Sequence, residues 1–437
     1  MTTELSNFAA RLREIILSEG RVPRGPDSEL RTPNSELRNH NGDSCNSPLR
    51  DFNSLALELF ALQFQHNAAY RKICEARGLT PEVVEHWTRI PAVPTSAFKE
   101  LELTCLAPAE RTAVFHSSGT TEQKPSRHFH NAESLAVYEA SLWVWFEKRF
   151  LRSADSLSAS SEKRGQAVRA PLVILTPSPM QAPHSSLVHM FETVRQKLGG
   201  ASVPALSSRR SRWGGEGGSR AEFPGSIAAD GSWVLDFDAA LKALRESCAN
   251  GKPLIMLGTA FSFVHLLDFL AEQDLRFQLP AGSQVMETGG YKNRSRSLPK
   301  AELHQLITER LGVPPSHIIC EYGMSELSSQ AYDRVAGDGW RVTDKDSTPR
   351  HSTLVTRHFL FPPWVRLQIV SPETGYEVAE GETGLIRVFD LANVFSVMAI
   401  QTEDLGIRRA EHFELIGRAA LAEPRGCSLM VAETRKS

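Results

Sequence analysis

Residues 253–290 read PLIMLGTAFSFVHLLDFLAEQDLRFQLPAGSQVMETGG. PLIMLGT (253–259) is a short unbroken apolar run, which suits a strand buried on both faces. FSFVHLLDFLAEQ (261–273) spaces its apolar residues for a helix, and SQVMETGG (283–290) returns to a strand ending on Gly289 and Gly290. The alternation extends in both directions. Downstream, the helix LPKAELHQLITERLG (298–312) leads into the strand HIICEYG (317–323). Upstream lie the strand PLVILT (171–176) and the helices SLVHMFETVRQKL (186–198) and DFDAALKALRESC (236–248). Buried strands separated by helices of this length predict βαβ units and a largely parallel sheet. From about residue 351 the texture changes to short strands and turns, in HFLFPPWVRLQIV, ETGYEVAEGETG and LIRVFDLAN. The expected fold class is therefore α/β: mostly parallel sheets flanked by helices, plus a small C-terminal antiparallel or barrel-like subdomain.

Bulk properties exclude several classes. The 437 residues carry a formal net charge of -2, so no field favours nucleic acid or an acidic membrane. No apolar run is long enough to cross a bilayer. The start, MTTELSNFAARLREIILSEG, reads as an amphipathic helix through Leu5, Phe8, Ala9, Leu12 and Ile16 rather than as a signal peptide. Six cysteines (Cys45, Cys74, Cys105, Cys248, Cys320, Cys427) lie far apart without a CxxC pair, which argues against a zinc site or a disulfide framework. The expected setting is the cytoplasm. Residues 21–50, 153–168 and 206–232 are polar stretches too poor in apolar residues to build a core. The expected organisation is an N-terminal helix and polar segment over 1–50, one domain over 51–418 with insertions near 153–168 and 206–232, and a C-terminal arm over 419–437.

Three motifs carry chemistry. VFHSSGTTEQKPSRHF (114–129) brings Ser117, Ser118, Thr120 and Thr121 around Gly119 after a strand-like approach. Convergent hydroxyl and backbone N–H donors suit a polyphosphate, and the bland alternative is a Ser/Thr-rich surface turn. HIICEYGMSELSSQAYD (317–333) delivers Tyr322, Gly323, Met324, Ser325 and Glu326 at the carboxyl end of a strand, where open α/β sheets bind ligands. Tyr322 suits stacking on a purine, and Glu326 suits a hard oxygen ligand for Mg²⁺. QTEDLGIRR (401–409) places Asp404 where a carboxylate meets ribose hydroxyls, and FELIGRAA (413–420) places Arg418 near ribose or phosphate. Each of the last two is also compatible with an ordinary turn.

The order of these motifs is more specific than any one of them. SSGTT, GG, YGMSE, ED and GR in succession resemble the adenylate-forming superfamily of acyl-CoA synthetases, luciferases and peptide-synthetase adenylation domains. RIPAVPTSAFK (89–99), METGGYKNRSR (286–296), YGMSELSSQAYD (322–333) and RGCSL (425–429) are most similar to the branch holding phenylacetate-CoA ligase and the LuxE-type acyl-protein synthetases.

The resemblance implies ATP held by Ser117, Ser118, Gly119, Thr120 and Thr121, with adenine against Gly289 and Gly290 and under Tyr322 in the Tyr322–Glu326 segment. It implies Mg²⁺ positioned by Glu326 with Thr121 or Thr120, ribose held by Asp404, and Arg418 at the end of the large domain. The usual GxPK continuation of the loop is replaced by Glu122-Gln123-Lys124-Pro125. His184, His189 and Phe261 are candidates for the aromatic gate of the acyl pocket. Nineteen residues follow Arg418, where acyl-CoA synthetases carry a further domain with a catalytic lysine; Lys436 is the one lysine there. The cap domain is therefore expected to be missing. Cys427 matches the cysteine that accepts the acyl group in the LuxE-type family. Arg425 beside it favours the thiolate, and Gly426 lets the arm swing. The implied substrate is a fatty acid and the implied partner an acyl reductase, in a pathway of the kind that serves bioluminescence. The residues also leave open a ligase acting on coenzyme A or a carrier-protein thiol, and a non-catalytic nucleotide-binding scaffold.

Overall fold

The computed structural model describes residues 3–20, 51–117, 124–151, 170–199, 221–229, 231–289, 298–335 and 357–419. The described strands are β1 (Val93–Pro94), β2 (Ala113–His116), β3 (Arg127–His130), β4 (Leu172–Ile174), β5 (Ala221–Glu222), β6 (Gly225–Ile227), β7 (Trp233–Leu235), β8 (Ile255–Thr259), β9 (Gln284–Thr288), β10 (Ile318–Tyr322), β11 (Ala331–Val335), β12 (Arg357–Leu360), β13 (Val365–Val370), β14 (Thr383–Asp390), β15 (Ala399–Arg409) and β16 (His412–Arg418). The helices used below are α1 (Thr3–Glu19), α2 (Phe52–His66), α3 (Ala68–Ala76), α4 (Ala97–Glu100), α5 (Ala132–Phe146), α6 (Ser186–Gly199), α7 (Phe237–Asn250), α8 (Ala260–Glu272) and α9 (Lys300–Leu311).

One mixed sheet runs β13-β14-β15-β16-β12-β11-β10-β9-β8-β4-β5, with β1 added beside β15. Strands β5, β4, β8, β9 and β10 are mutually parallel. The runs of β4, β8, β9 and β10 are buried on both faces, as the unbroken hydrophobicity of PLIMLGT requires. β11 turns back antiparallel to β10, and every pairing from there to β13 is antiparallel. The C-terminal antiparallel region anticipated from the sequence is thus present, and β11 joins it to the parallel strands in a single sheet.

The two sheet faces build two cores. One packs Ile174, Leu257 and Met286 against α1, α5 and α6, with Leu5, Phe8, Leu12 and Ile16 of α1 buried in it. The other packs Val173, Met256, Val285 and Ile318 against α7, α8 and α9. The alternation of neighbouring residues between the two clusters is the period-2 geometry of a strand. The end of the polar stretch 206–232 also forms structure: β5 extends the sheet edge, and β6 pairs with β7. Among the described residues no helix is long and apolar enough to cross a membrane.

Candidate active site

The β2–β3 hairpin presents the Ser/Thr-rich loop. His116 lies opposite Arg127 in the ladder. One residue further, the Ser126 N–H donates to Ser117 Oγ at 3.0 Å, and the Ser117 N–H donates to the Ser126 carbonyl at 3.3 Å. Ser117 therefore closes the foot of the loop. Ser118, Gly119, Thr120 and Thr121 lie outside the described residues. Lys124, which ends this segment, has its Nζ 3.5 Å from a Glu100 carboxylate oxygen, both side chains being exposed.

The Tyr322–Glu326 segment is fastened to that foot. Ser126 Oγ donates to Glu326 Oε1 at 2.5 Å, and Ser325 Oγ donates to Glu326 Oε2 at 3.1 Å. Asn393 Nδ2 donates to the Glu326 carbonyl at 2.9 Å. His128 Nδ1 lies 2.8 Å from the Ser325 carbonyl, which can only accept, so Nδ1 carries the proton. Burial lowers the His128 pKa to about 4, leaving a neutral imidazole at physiological pH. Met324 packs partly buried against the core, whereas Gly323 is exposed.

Gly289 follows β9 at φ +73°, in the left-handed region that glycine enters without steric cost. Thr288 is level with Glu321 across the parallel β9–β10 pair, so Gly289 reaches the level of Tyr322. Gly290 lies outside the described residues. The Tyr322 hydroxyl donates to Asp404 Oδ2 at 2.9 Å, a contact between residues 82 apart in sequence. Its ring stands edge-on to Phe359, Phe361 and Phe413. Burial raises the Asp404 pKa above the ordinary aspartate value. Arg418 sits opposite Asp404 on β16, but its exposed guanidinium donates to Glu403 at 2.9 Å.

The remaining candidates separate. The His184 ring packs tilted by 32° against His116 with centroids 4.9 Å apart, and the His184 carbonyl accepts the His116 N–H at 2.9 Å. His189 Nε2 meets Glu139 Oε1 at 3.1 Å. Phe261 packs on His265 in α8, beside Trp233 and Leu235 of β7. Burial pushes the Cys74 thiol up to about 11 and the Cys105 thiol up to about 12, which makes both poor nucleophiles. Cys248 is exposed, while Cys320 is buried on the face that α9 covers. Cys45 and Cys427 lie outside the described residues.

For Mg²⁺, the described residues hold no group of three or more His, Cys, Asp or Glu side chains able to form a protein cage. Mg²⁺ at nucleotide sites is bound through one or two carboxylates plus phosphate oxygens. Glu326, a single buried carboxylate among hydroxyls at the foot of the loop, fits that demand.

Sequence reasoning missed an ionic network beneath β9. Lys300 Nζ and His304 Nε2 approach Glu287 Oε1 at 3.4 Å and 3.1 Å, and Lys300 Nζ also donates to Cys320 Sγ. Burial opposes ionisation of Glu287, yet Lys300 and His304 outweigh it and hold the carboxyl at about 2. This carboxylate therefore stabilises the fold above its unfolded pKa of about 4.3, and the stabilisation is lost as pH falls toward about 2. Lys300→Met is expected to cost about 2 kcal/mol at pH 7, less than the roughly 3–5 kcal/mol of a fully buried broken pair. The discount reflects the 36% exposure of the Lys300 side chain. Urea midpoints at pH 7 and pH 3 check this: the difference between wild type and variant should shrink at the lower pH.

Known proteins similar to this chain are ligases. The family profile described as acyl-protein synthetase, LuxE, matches residues 222–435. A long-chain-fatty-acid–luciferin-component ligase of Vibrio harveyi is 23% identical over 383 residues, covering 86% of this chain and 85% of the relative. The protein of the same name from Aliivibrio fischeri is 25% identical over 222 residues, covering 48% of this chain and 53% of the relative. Among solved structures, an open conformation of 2-hydroxyisobutyryl-CoA ligase in complex with 2-HIB-AMP and CoA superposes with TM-score 0.51 at 13% identity. That likeness covers 85% of this chain and 70% of the ligase, and it bears on the fold. Residues 222–435 are thus similar to the LuxE acyl-protein synthetase family, and the described chain shares its fold with the 2-hydroxyisobutyryl-CoA ligase.

Proposed function

We propose that this protein is an acid–thiol ligase that activates a long-chain fatty acid with ATP and takes the acyl group onto its own Cys427. The observation that carries the reading is the meeting of Tyr322, Asp404, Ser126 and Glu326 at the carboxyl end of β10, beside the foot of the Ser/Thr-rich loop.

In the first step a carboxylate oxygen of the acid attacks the α-phosphorus of ATP. A new P–O bond forms, the bond to the bridging oxygen breaks, and pyrophosphate leaves with the electron pair. Asp404 accepts hydrogen bonds from the ribose, Tyr322 and Gly289 with Gly290 flank the adenine, and Ser117 to Thr121 surround the phosphates. Arg418 closes the ribose side. Glu326 and Thr121 would hold Mg²⁺, which supplies charge neutralisation on the phosphates when bound. In the second step the Cys427 thiolate attacks the acyl carbon, the bond to the AMP oxygen breaks, and AMP leaves with the pair. The thioester is a fit donor for a partner acyl reductase, whose hydride donor would supply the two electrons that turn the acyl group into an aldehyde and free the thiol.

Denaturing gels of the protein incubated with ATP, Mg²⁺ and radiolabelled tetradecanoate test the reading. The expected result is a hydroxylamine-labile label on the protein. Label that passes only to added coenzyme A would instead make it a coenzyme A ligase.

A further inference from the structure

Tyr322 and Glu321 are neighbours on β10, so their side chains leave opposite faces of the sheet. Tyr322 faces Asp404; Glu321 faces the α5 side, where its charge acts on Tyr138. Glu321 is buried, and Thr288 at the level position of β9 donates its hydroxyl to Glu321 Oε2. The carboxylate lies against the backbone of Gly323, where an added Cβ would fall 2.3 Å from Oε1 and 3.4 Å from Gln330 Cγ. Tyr332 is level with Glu321 on β11.

The Tyr332 hydroxyl and Gln330 Oε1 are both buried and have no hydrogen-bond partner among the described residues. Tyr332 is 0% exposed and Gln330 5%. A buried hydroxyl left unpaired costs free energy, and a fold retains one chiefly where a ligand or water completes it. Thr288 and Glu321 lie at the carboxyl ends of the parallel strands β9 and β10, next in sequence to Gly289 and Tyr322, the residues assigned to the nucleotide.

We propose that Thr288, Glu321, Gln330 and Tyr332 recognise a hydroxyl group on the acid, so that the substrate class is a hydroxy fatty acid rather than an unsubstituted one. This rests on the acid-activating reading above. Purely apolar chains would leave these groups dry and unpaired, whereas a hydroxyl both donates and accepts. Burial, the largest cause, lifts the Glu321 carboxyl to about 7, so near neutrality it serves in either role.

The test compares kcat/KM for acid-dependent pyrophosphate release from 2-, 3- and ω-hydroxytetradecanoate with that from tetradecanoate. Wild type is expected to favour one hydroxy acid by about 100-fold or more, because a site built for a hydroxyl discriminates strongly against its absence. Tyr332→Phe removes a hydroxyl with no partner among the described residues, so it is expected to leave the urea midpoint unchanged and cut that preference about tenfold. Glu321→Gln keeps the shape and should also lower the preference. Equal turnover of all four acids, with the ratio unmoved in both variants, would overturn the inference while leaving acid activation standing. Release with none of the acids would overturn acid activation itself, and this inference with it.

Discussion

Cys427→Ala is expected to abolish the covalent acyl label while leaving acid-dependent pyrophosphate release at the wild-type rate. An acyl adenylate is a mixed anhydride with a good leaving group, and a thiolate is the strongest nucleophile the chain offers it. The described thiols argue against substitutes. Cys74 and Cys105 are held protonated by burial, and Cys320 is buried against Lys300 beneath the sheet. Cys248 is exposed on α7 but donates to the Gln278 carbonyl, and its pKa is raised by burial. Cys248→Ala is the matching control, expected to keep the label.

The second large effect concerns the nucleotide. Asp404→Ala is expected to raise KM for ATP by about 100-fold or more, since two hydrogen bonds to a carboxylate contribute roughly 1.5–3 kcal/mol each. It also leaves the buried Tyr322 hydroxyl without its acceptor. Asp404→Asn retains an acceptor for Tyr322 and is expected to fall between the two, which separates ribose binding from ring positioning. Because burial raises the Asp404 pKa, affinity for ATP should begin to fall at a higher pH than an ordinary aspartate would dictate. Titration of ATP binding by calorimetry from pH 8 downward checks the direction.

The sequence announced the parallel strands because continuous apolar runs such as PLIMLGT have few other uses in a chain of this kind. It also announced α1 as amphipathic, but not where its stripe docks. Leu5, Phe8, Leu12 and Ile16 say that a face is buried, and only the fold reveals that the face is buried in the core shared with α5. The strands at 221–227 escaped notice because Gly, Ser and Ala in AEFPGSI give no hydrophobic period. The site divides in the same way. Tyr322 and Asp404 carry motif signals, so their pairing was foreseeable as a shared site. Ser126 was not, since its hydroxyl matters only through a bond to Glu326 two hundred residues away. The Glu321–Thr288 pair was hidden by the strand period itself, which puts it on the face opposite Tyr322.

The most direct test is acid-dependent exchange of radiolabelled pyrophosphate into ATP, because only reversible acyl-AMP formation links those two species to a carboxylate. The account predicts exchange that requires both Mg²⁺ and a long-chain acid, and that collapses in Asp404→Ala while surviving in Cys427→Ala. Exchange that is absent with every acid supplied, or that proceeds without one, would contradict it.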